Sequence, residues 1–80
     1  MRIDKFLKVS RLIKRRTVAS QACDQDRIFI NGKQVKPSGQ VNIGDVVEIQ
    51  FGNKRLKVEV TSLSEFTTKE NADSMFKEVE

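Results

Sequence analysis

The sequence predicts a single α+β domain in which two N-terminal helices pack on a small antiparallel sheet. Three observations carry this prediction. Apolar residues recur at helical spacing up to about residue 26. From Arg27 onward they alternate with polar residues, the period typical of strands, and turn signals divide this part into short segments. A chain of 80 residues leaves room for one domain only.

The first predicted helix opens the chain. Its apolar face consists of Ile3, Phe6 and Leu7. The opposite side of the helix carries three cations, Arg2, Lys5 and Lys8. The helical pattern becomes irregular after Lys8, and Leu12 and Ile13 are expected to pack into the core from a turn.

A second, short helix is expected after Thr17. This residue is a good N-cap, because its hydroxyl can accept a hydrogen bond from an unpaired backbone N–H of the next turn. The apolar face of the helix is predicted to contain Val18, Ala19, Ala22 and Cys23. Asp26 is expected to end the helix, because aspartate tolerates the left-handed conformation of a helix stop.

Four strand segments are predicted next, at residues 27–30, 34–36, 47–51 and 56–61. The turns between them are marked by Asn31-Gly32, Pro37-Ser38-Gly39, Asn42-Ile43-Gly44-Asp45 and Gly52-Asn53. The domain is predicted to span residues 1–66, with a polar tail at 67–80. In that tail Ala72, Met75, Phe76 and Val79 have the spacing of a short amphipathic helix, and fraying near the terminus is the alternative.

Residues that commonly serve catalysis or metal binding are scarce. Histidine is absent, which excludes a Ser-His-Asp triad. The single cysteine, Cys23, lies on an apolar helix face, where an inert buried thiol is expected. We therefore predict a protein that is not an enzyme and that uses no cofactor and no metal ion. Its apolar runs are too short for a membrane span, and the predicted compartment is the cytoplasm.

Positive charge is concentrated in the first half of the chain. Residues 1–36 hold ten basic and three acidic residues, whereas residues 37–80 hold five basic and eight acidic residues. Such a cluster repels itself, so a polyanionic partner is its simplest explanation. A solvated basic face that serves solubility is the alternative.

The strongest candidate site is the run Lys14-Arg15-Arg16 before Thr17. A helix N-terminus offers unpaired N–H donors and the positive end of the dipole, so cations there make sense when a phosphate is bound. The predicted RNA-binding residues are Arg2, Lys5, Lys8, Arg11, Lys14, Arg15, Arg16, Thr17, Gln21, Lys33, Gln34 and Lys36. Phe29 either stacks on a base from an exposed sheet face or, as we expect, packs under a helix or the tail.

Several segments resemble the S-four RNA-binding domain, also called the αL motif. They are Arg2 to Leu7, Arg16 to Ala19, Arg27 to Pro37 and the turn Gly44-Asp45. The resemblance covers roughly residues 1–60 and implies two helices on an antiparallel sheet. Asp26 departs from the pattern, because the family usually has glycine before the first strand.

Within that family, the run from Lys5 to Thr17 resembles the stand-alone bacterial quality-control proteins of the RqcP (YabO) type, relatives of a small ribosome-associated heat-shock protein. The resemblance implies binding to rRNA and P-site peptidyl-tRNA on an obstructed large ribosomal subunit. It also implies support for C-terminal alanine tailing by a partner ribosome quality-control factor, with Arg2 and Arg16 as leading RNA contacts. The chain is expected to act as a monomer.

Three other functions remain open. One is a protein-interaction adaptor that uses the acidic C-terminal half and the tail. The second is a general ribosome-recycling or heat-shock RNA-binding factor. The third is a remnant of an RNA-modifying enzyme.

Overall fold

A computed structural model of the protein describes residues 1–64 and 72–79. Two helices open the chain, α1 at Ile3–Val9 and α2 at Arg16–Asp24. Five strands follow: β1 at Ile28–Ile30, β2 at Lys33–Gln34, β3 at Val46–Phe51, β4 at Lys54–Val60 and β5 at Phe76–Glu78. One turn of 3₁₀ helix at Asp73–Met75 precedes β5.

The strands form one sheet in the order β2-β1-β3-β4-β5, and every neighbouring pair is antiparallel. Alternate side chains of its central strands are buried on one face: Ile28, Ile30, Val47, Ile49, Val58 and Val60. They share a single core cluster with the apolar face of α1. The predicted α+β architecture is therefore confirmed.

The helical spacing identified the centre of the core correctly. Ile3, Phe6 and Leu7 are completely buried, and Ile13 is 8% exposed where the chain leaves α1. Burying each such side chain contributes roughly 1.5–3 kcal/mol. One predicted core position is wrong: Val18 is 45% exposed, because α2 turns only Ala19 and Cys23 fully inward.

The start of α1 is held by the segment that follows β2. The backbone N–H groups of Ile3 and Asp4 donate to the carbonyl oxygens of Gly39 and Pro37, at 2.7 and 3.4 Å. These bonds satisfy two donors that a helix N-terminus leaves unpaired. The segment after β2 is thereby fixed against the first turn of α1.

The predicted cap of α2 is wrong. The helix begins at Arg16, its N-cap is Arg15, and no side chain caps it. Thr17 is therefore the second helical residue, and its side chain is exposed. The first turn of α2 keeps its unpaired N–H donors next to two arginines, which favours an anion there more than a hydroxyl cap would.

Asp26 stops α2 in the left-handed conformation that the sequence predicts. The helix ends at Asp24, Gln25 is its C-cap, and Asp26 follows with φ of 60°. A side chain at positive φ costs roughly 1 kcal/mol that glycine avoids. This position is the one where the sequence departs from the pattern of the S-four domain that it resembles.

Asp26→Gly is expected to raise the melting temperature by about 2 to 6 °C, because relief of the backbone strain exceeds the extra chain entropy of glycine. Thermal unfolding followed by circular dichroism measures the change. Gln21→Gly, exposed within α2, is the matched control and should lower the stability by about 1 kcal/mol. A lower melting temperature for Asp26→Gly would show that the aspartate side chain stabilises the turn by more than the strain costs.

The C-terminal part of the fold differs from the predicted tail helix. Residues 73–75 form a 3₁₀ turn, and Phe76–Glu78 pair with β4 as an edge strand. Ala72 is helical and completely buried, and Met75 is 1% exposed and belongs to the core, so the predicted helical spacing holds over residues 72–75 and ends where the strand begins. The part of the tail prediction before residue 72 and the boundary at residue 66 lie outside the described residues.

Candidate nucleic-acid interface

The two basic segments meet at a buried carboxylate. Asp4 lies in the first turn of α1, and its side chain is 4% exposed. Its Oδ2 accepts a hydrogen bond from Arg2 at 3.2 Å, and its Oδ1 accepts one from Arg16 at 3.3 Å. The two arginine side chains remain 48% and 47% exposed. One acid therefore fixes two guanidinium groups at the surface, each with N–H donors directed to solvent.

Helix packing explains why Arg16 reaches Asp4 across twelve residues. Ala19 and Cys23 are completely buried on the inward face of α2, and their small side chains allow α1 to approach closely. Burial raises the pKa of the Cys23 thiol to about 11, and the nearby carboxylates of Asp4 and Asp24 act in the same direction. The thiol is consequently neutral at physiological pH and belongs to the packing of the two helices.

The cations at the other end of α1 lie in the connection to α2. Lys8 is exposed in the last turn of α1, where it complements the helix dipole. Arg11 is exposed and adopts φ of 62°, at the position after the cap where glycine is usual. Lys14 and Arg15 are exposed just before α2. Lys8 and Arg11 therefore add positive charge near the end of α1, and Lys14 and Arg15 add it next to Arg16 at the start of α2.

The remaining predicted contacts fall into two groups. Thr17 and Gln21 are exposed one turn apart on α2, beside the arginine pair, whereas Lys5 is half-buried. The second group, Lys33, Gln34 and Lys36, is exposed at the β2 edge of the sheet. Lys36 precedes the Pro37 carbonyl that contacts Asp4, so it adjoins the start of α1.

A second cluster of charges was not found from the sequence. On the face of the sheet opposite the helices, Glu48 accepts from Arg55 at 3.3 Å and lies 3.6 Å from Lys57. The guanidinium of Arg55 lies over the ring of Phe29, 5.3 Å from its centre. Phe29 is half-buried, and the group that covers it is Arg55. The sequence predicted that a helix or the tail would cover it. The contact joins β1 to β4 across β3, so it depends on strand register and leaves no local sequence signal.

The described part of the chain contains no helix long and apolar enough to cross a membrane. Within residues 1–64 and 72–79, no three acidic, cysteine or histidine side chains gather as a metal site would require. The chemistry that the helical face offers is hydrogen bonding and charge, from guanidinium and ammonium groups.

Comparison with known proteins supplies a family for this arrangement. The profile of the S4 domain matches residues 1–47. The sequence is 54% identical over 76 residues to the RQC P-site tRNA stabilizing factor of Bacillus subtilis (strain 168), a match covering 95% of this chain and 88% of that protein. The factor of the same name from Streptococcus pneumoniae is 51% identical over 76 residues, a match that covers 95% of this chain and 86% of that protein.

A solved structure extends the likeness to the whole fold. The trimeric structure of Vibrio cholerae Heat Shock Protein 15 superposes with a TM-score of 0.90 at 25% identity. The superposition covers 99% of this chain and 81% of that one. The strands beyond the S4 match therefore follow the same architecture as that protein.

Proposed function

Because this chain belongs to the S4 domain family, and to the same family as the RQC P-site tRNA stabilizing factors, we propose that it is a non-catalytic RNA-binding protein of ribosome-associated quality control. It binds P-site tRNA together with rRNA on the large ribosomal subunit. The observation that carries the proposal is the pair of half-exposed arginines, Arg2 and Arg16, anchored on the buried Asp4.

The anchoring suits phosphate recognition. An arginine side chain carries about 2 kcal/mol of rotamer entropy, and a guanidinium already bonded to Asp4 has less of it to lose on binding RNA. Each guanidinium has five N–H donors, so those not used by Asp4 remain for a phosphate. Lys8, Arg11 and Lys14 are exposed at the end of α1 and in the connection to α2, where they add positive charge to the two-helix region.

Stabilisation of a tRNA follows from differential binding. A protein that contacts rRNA and a tRNA at once favours the tRNA position in which both sets of contacts form. A charge-assisted hydrogen bond contributes about 1.5–3 kcal/mol, so one contact made in a single tRNA position shifts the equilibrium by about tenfold or more. The product of the activity is a shifted population of bound tRNA, without any covalent step.

Four finer features belong to the same proposal. The obstructed large subunit carrying peptidyl-tRNA is the preferred target, and the partner is a factor that adds C-terminal alanine tails. The protein acts in the cytoplasm. It acts there as a monomer, since one copy presents a complete basic face.

Affinity purification from cells tests the target. The tag belongs at the C-terminus, because the Met1 ammonium group donates to the Gln40 side chain at 3.1 Å. We expect free large subunits with peptidyl-tRNA to be enriched over complete ribosomes. Equal recovery of subunits without peptidyl-tRNA would contradict the proposed preference and favour a general rescue factor.

The adaptor alternative calls for point substitutions. Deleting the tail from residue 67 would remove β5 and the buried Met75, so loss of binding could reflect unfolding. The exposed side chains Lys77 and Glu78 can be reversed in charge without touching the core. Unchanged binding of such a variant to large subunits favours the RNA-binding function over the adaptor.

A further inference from the structure

The face of the sheet that points away from the helices is unevenly charged. Along β3 and β4 the outward side chains are Val46, Glu48, Gln50, Arg55, Lys57 and Glu59. Toward β5, Glu59 lies 3.9 Å from Lys77, and the two charges cancel. The basic side chains gather at the other end, around the ring of Phe29. We call the cluster of Phe29, Glu48, Arg55 and Lys57 the Phe29 platform.

The Phe29 platform is held in place by a nearly buried acid. Glu48 is 13% exposed and is shared between Arg55 and Lys57, one carboxylate oxygen facing each cation. In the sheet, Glu48 lies directly between Phe29 and Lys57. The acid thus fixes both cations while offering little negative charge to a ligand. Arg55 remains 59% exposed and Lys57 42% exposed.

A third cation extends the platform. The backbone N–H of Gln50 donates to the Arg27 carbonyl at 2.9 Å, which continues the β1–β3 pairing by one residue. The alternation of side chains then places Arg27 on the same face as Phe29. Arg27 is exposed, so three cations surround one acid on this end of the face.

These observations fit an unpaired nucleotide. A guanidinium plane over an aromatic ring leaves its outer surface for stacking, and bases stack on arginine planes as well as on aromatic rings. The ammonium of Lys57 and the guanidinium of Arg27 can bind the phosphates that flank a stacked base. A paired helix would hide its base faces, so the arrangement favours single-stranded RNA.

We propose that the Phe29 platform, with Arg27, binds an unpaired nucleotide of RNA, the base stacking on Arg55 and the flanking phosphates on Lys57 and Arg27. This inference rests on the proposed RNA-binding function and adds a second contact surface to it. The platform lies on the opposite side of the sheet from α1 and α2. One domain can therefore hold two RNA segments, one on each side.

Fluorescence anisotropy with two labelled RNA probes tests the platform in the full chain. One probe is hexauridine, and the other is a hexamer of the same backbone without bases. Arg55→Lys keeps the charge beside Glu48 but loses the stacking plane. We expect it to weaken binding of hexauridine by about fivefold or more and binding of the abasic probe by less than about twofold.

Lys77→Ala, which removes a cation from the neutral end of the same face, is the matched control and should change neither affinity. Phe29→Leu should resemble Arg55→Lys, and melting curves check that it folds. Wild-type affinity of Arg55→Lys for hexauridine, or an equal loss on both probes, overturns the proposal. If Arg55→Ala also binds both probes as the natural protein does, this face does not bind RNA, and a protein partner becomes the alternative.

Failure of this site is distinguishable from failure of the proposed function. The function is tested by substituting Arg16 and measuring binding to large subunits. If Arg16→Ala binds large subunits more weakly while Arg55→Lys binds hexauridine normally, the platform is rejected and the proposed function stands. A defect of Arg55→Lys that is specific to hexauridine supports the platform whatever Arg16→Ala does.

Discussion

Arg16→Ala is expected to weaken binding to large ribosomal subunits carrying peptidyl-tRNA by about tenfold or more. The change removes a half-exposed guanidinium that Asp4 holds at the surface. A charge-assisted contact of this kind contributes about 1.5–3 kcal/mol. Binding of the labelled protein to purified subunits, measured over a range of salt concentrations, gives the affinity.

The salt dependence identifies the lost contact as one to phosphate. Loss of one phosphate contact should make the slope of log affinity against log salt shallower by about 0.7–0.9. Arg2 stays on Asp4, and water can replace the half-exposed Arg16 at the other carboxylate oxygen, so the melting temperature should fall by only a few degrees. Lys77→Ala, a lost cation far from α2, should leave both affinity and slope unchanged. A marked loss of stability with normal binding would assign Arg16 to the fold.

Local patterns were sufficient to predict the elements that depend on near neighbours in sequence. The spacing of Ile3, Phe6 and Leu7 predicted α1 and its buried face, and Asn31-Gly32 predicted a tight turn. Both turn residues have positive φ, at 51° and 84°, as that hairpin type requires. The predicted family resemblance is confirmed by the S4 match over residues 1–47.

The errors arose where tertiary contacts decide the structure. The spacing from Ala72 to Val79 suits a helix, yet pairing with β4 makes residues 76–78 a strand. Val18 has the right period for the core, but it is 45% exposed, and the buried residues of α2 are Ala19 and Cys23. The sequence shows Asp4 only as an acid within a basic region, because no local pattern indicates that Arg16 contacts it.

Asp4→Asn is expected to damage both the fold and the interface. Arg2 and Arg16 donate to different oxygens of Asp4, and asparagine replaces one of those oxygens by an NH2 group that cannot accept a hydrogen bond. One guanidinium then faces a donor in a site that is 4% exposed. Solvent around the half-exposed arginines reduces the cost, and we expect a loss of about 1–3 kcal/mol, or roughly 4 to 20 °C in melting temperature.

The matched control is Asp45→Asn. Both Asp45 oxygens also accept hydrogen bonds, from Asn31 and the Asn42 backbone, but at a more exposed site away from the arginines. It should cost less stability and leave binding to large subunits unchanged.

The interface part of the Asp4 prediction is measured at a temperature where the melting curve shows the variant folded. There Asp4→Asn should still bind large subunits several-fold more weakly than the natural protein, because the arginines must lose rotamer entropy on binding. The reason lies in the geometry: the same carboxylate that joins α1 to α2 also holds Arg2 and Arg16 at the surface. Natural affinity in a folded Asp4→Asn variant would mean that the guanidinium groups reach RNA without their anchor. The anchoring of Arg2 and Arg16 by Asp4 would then no longer support the proposed function.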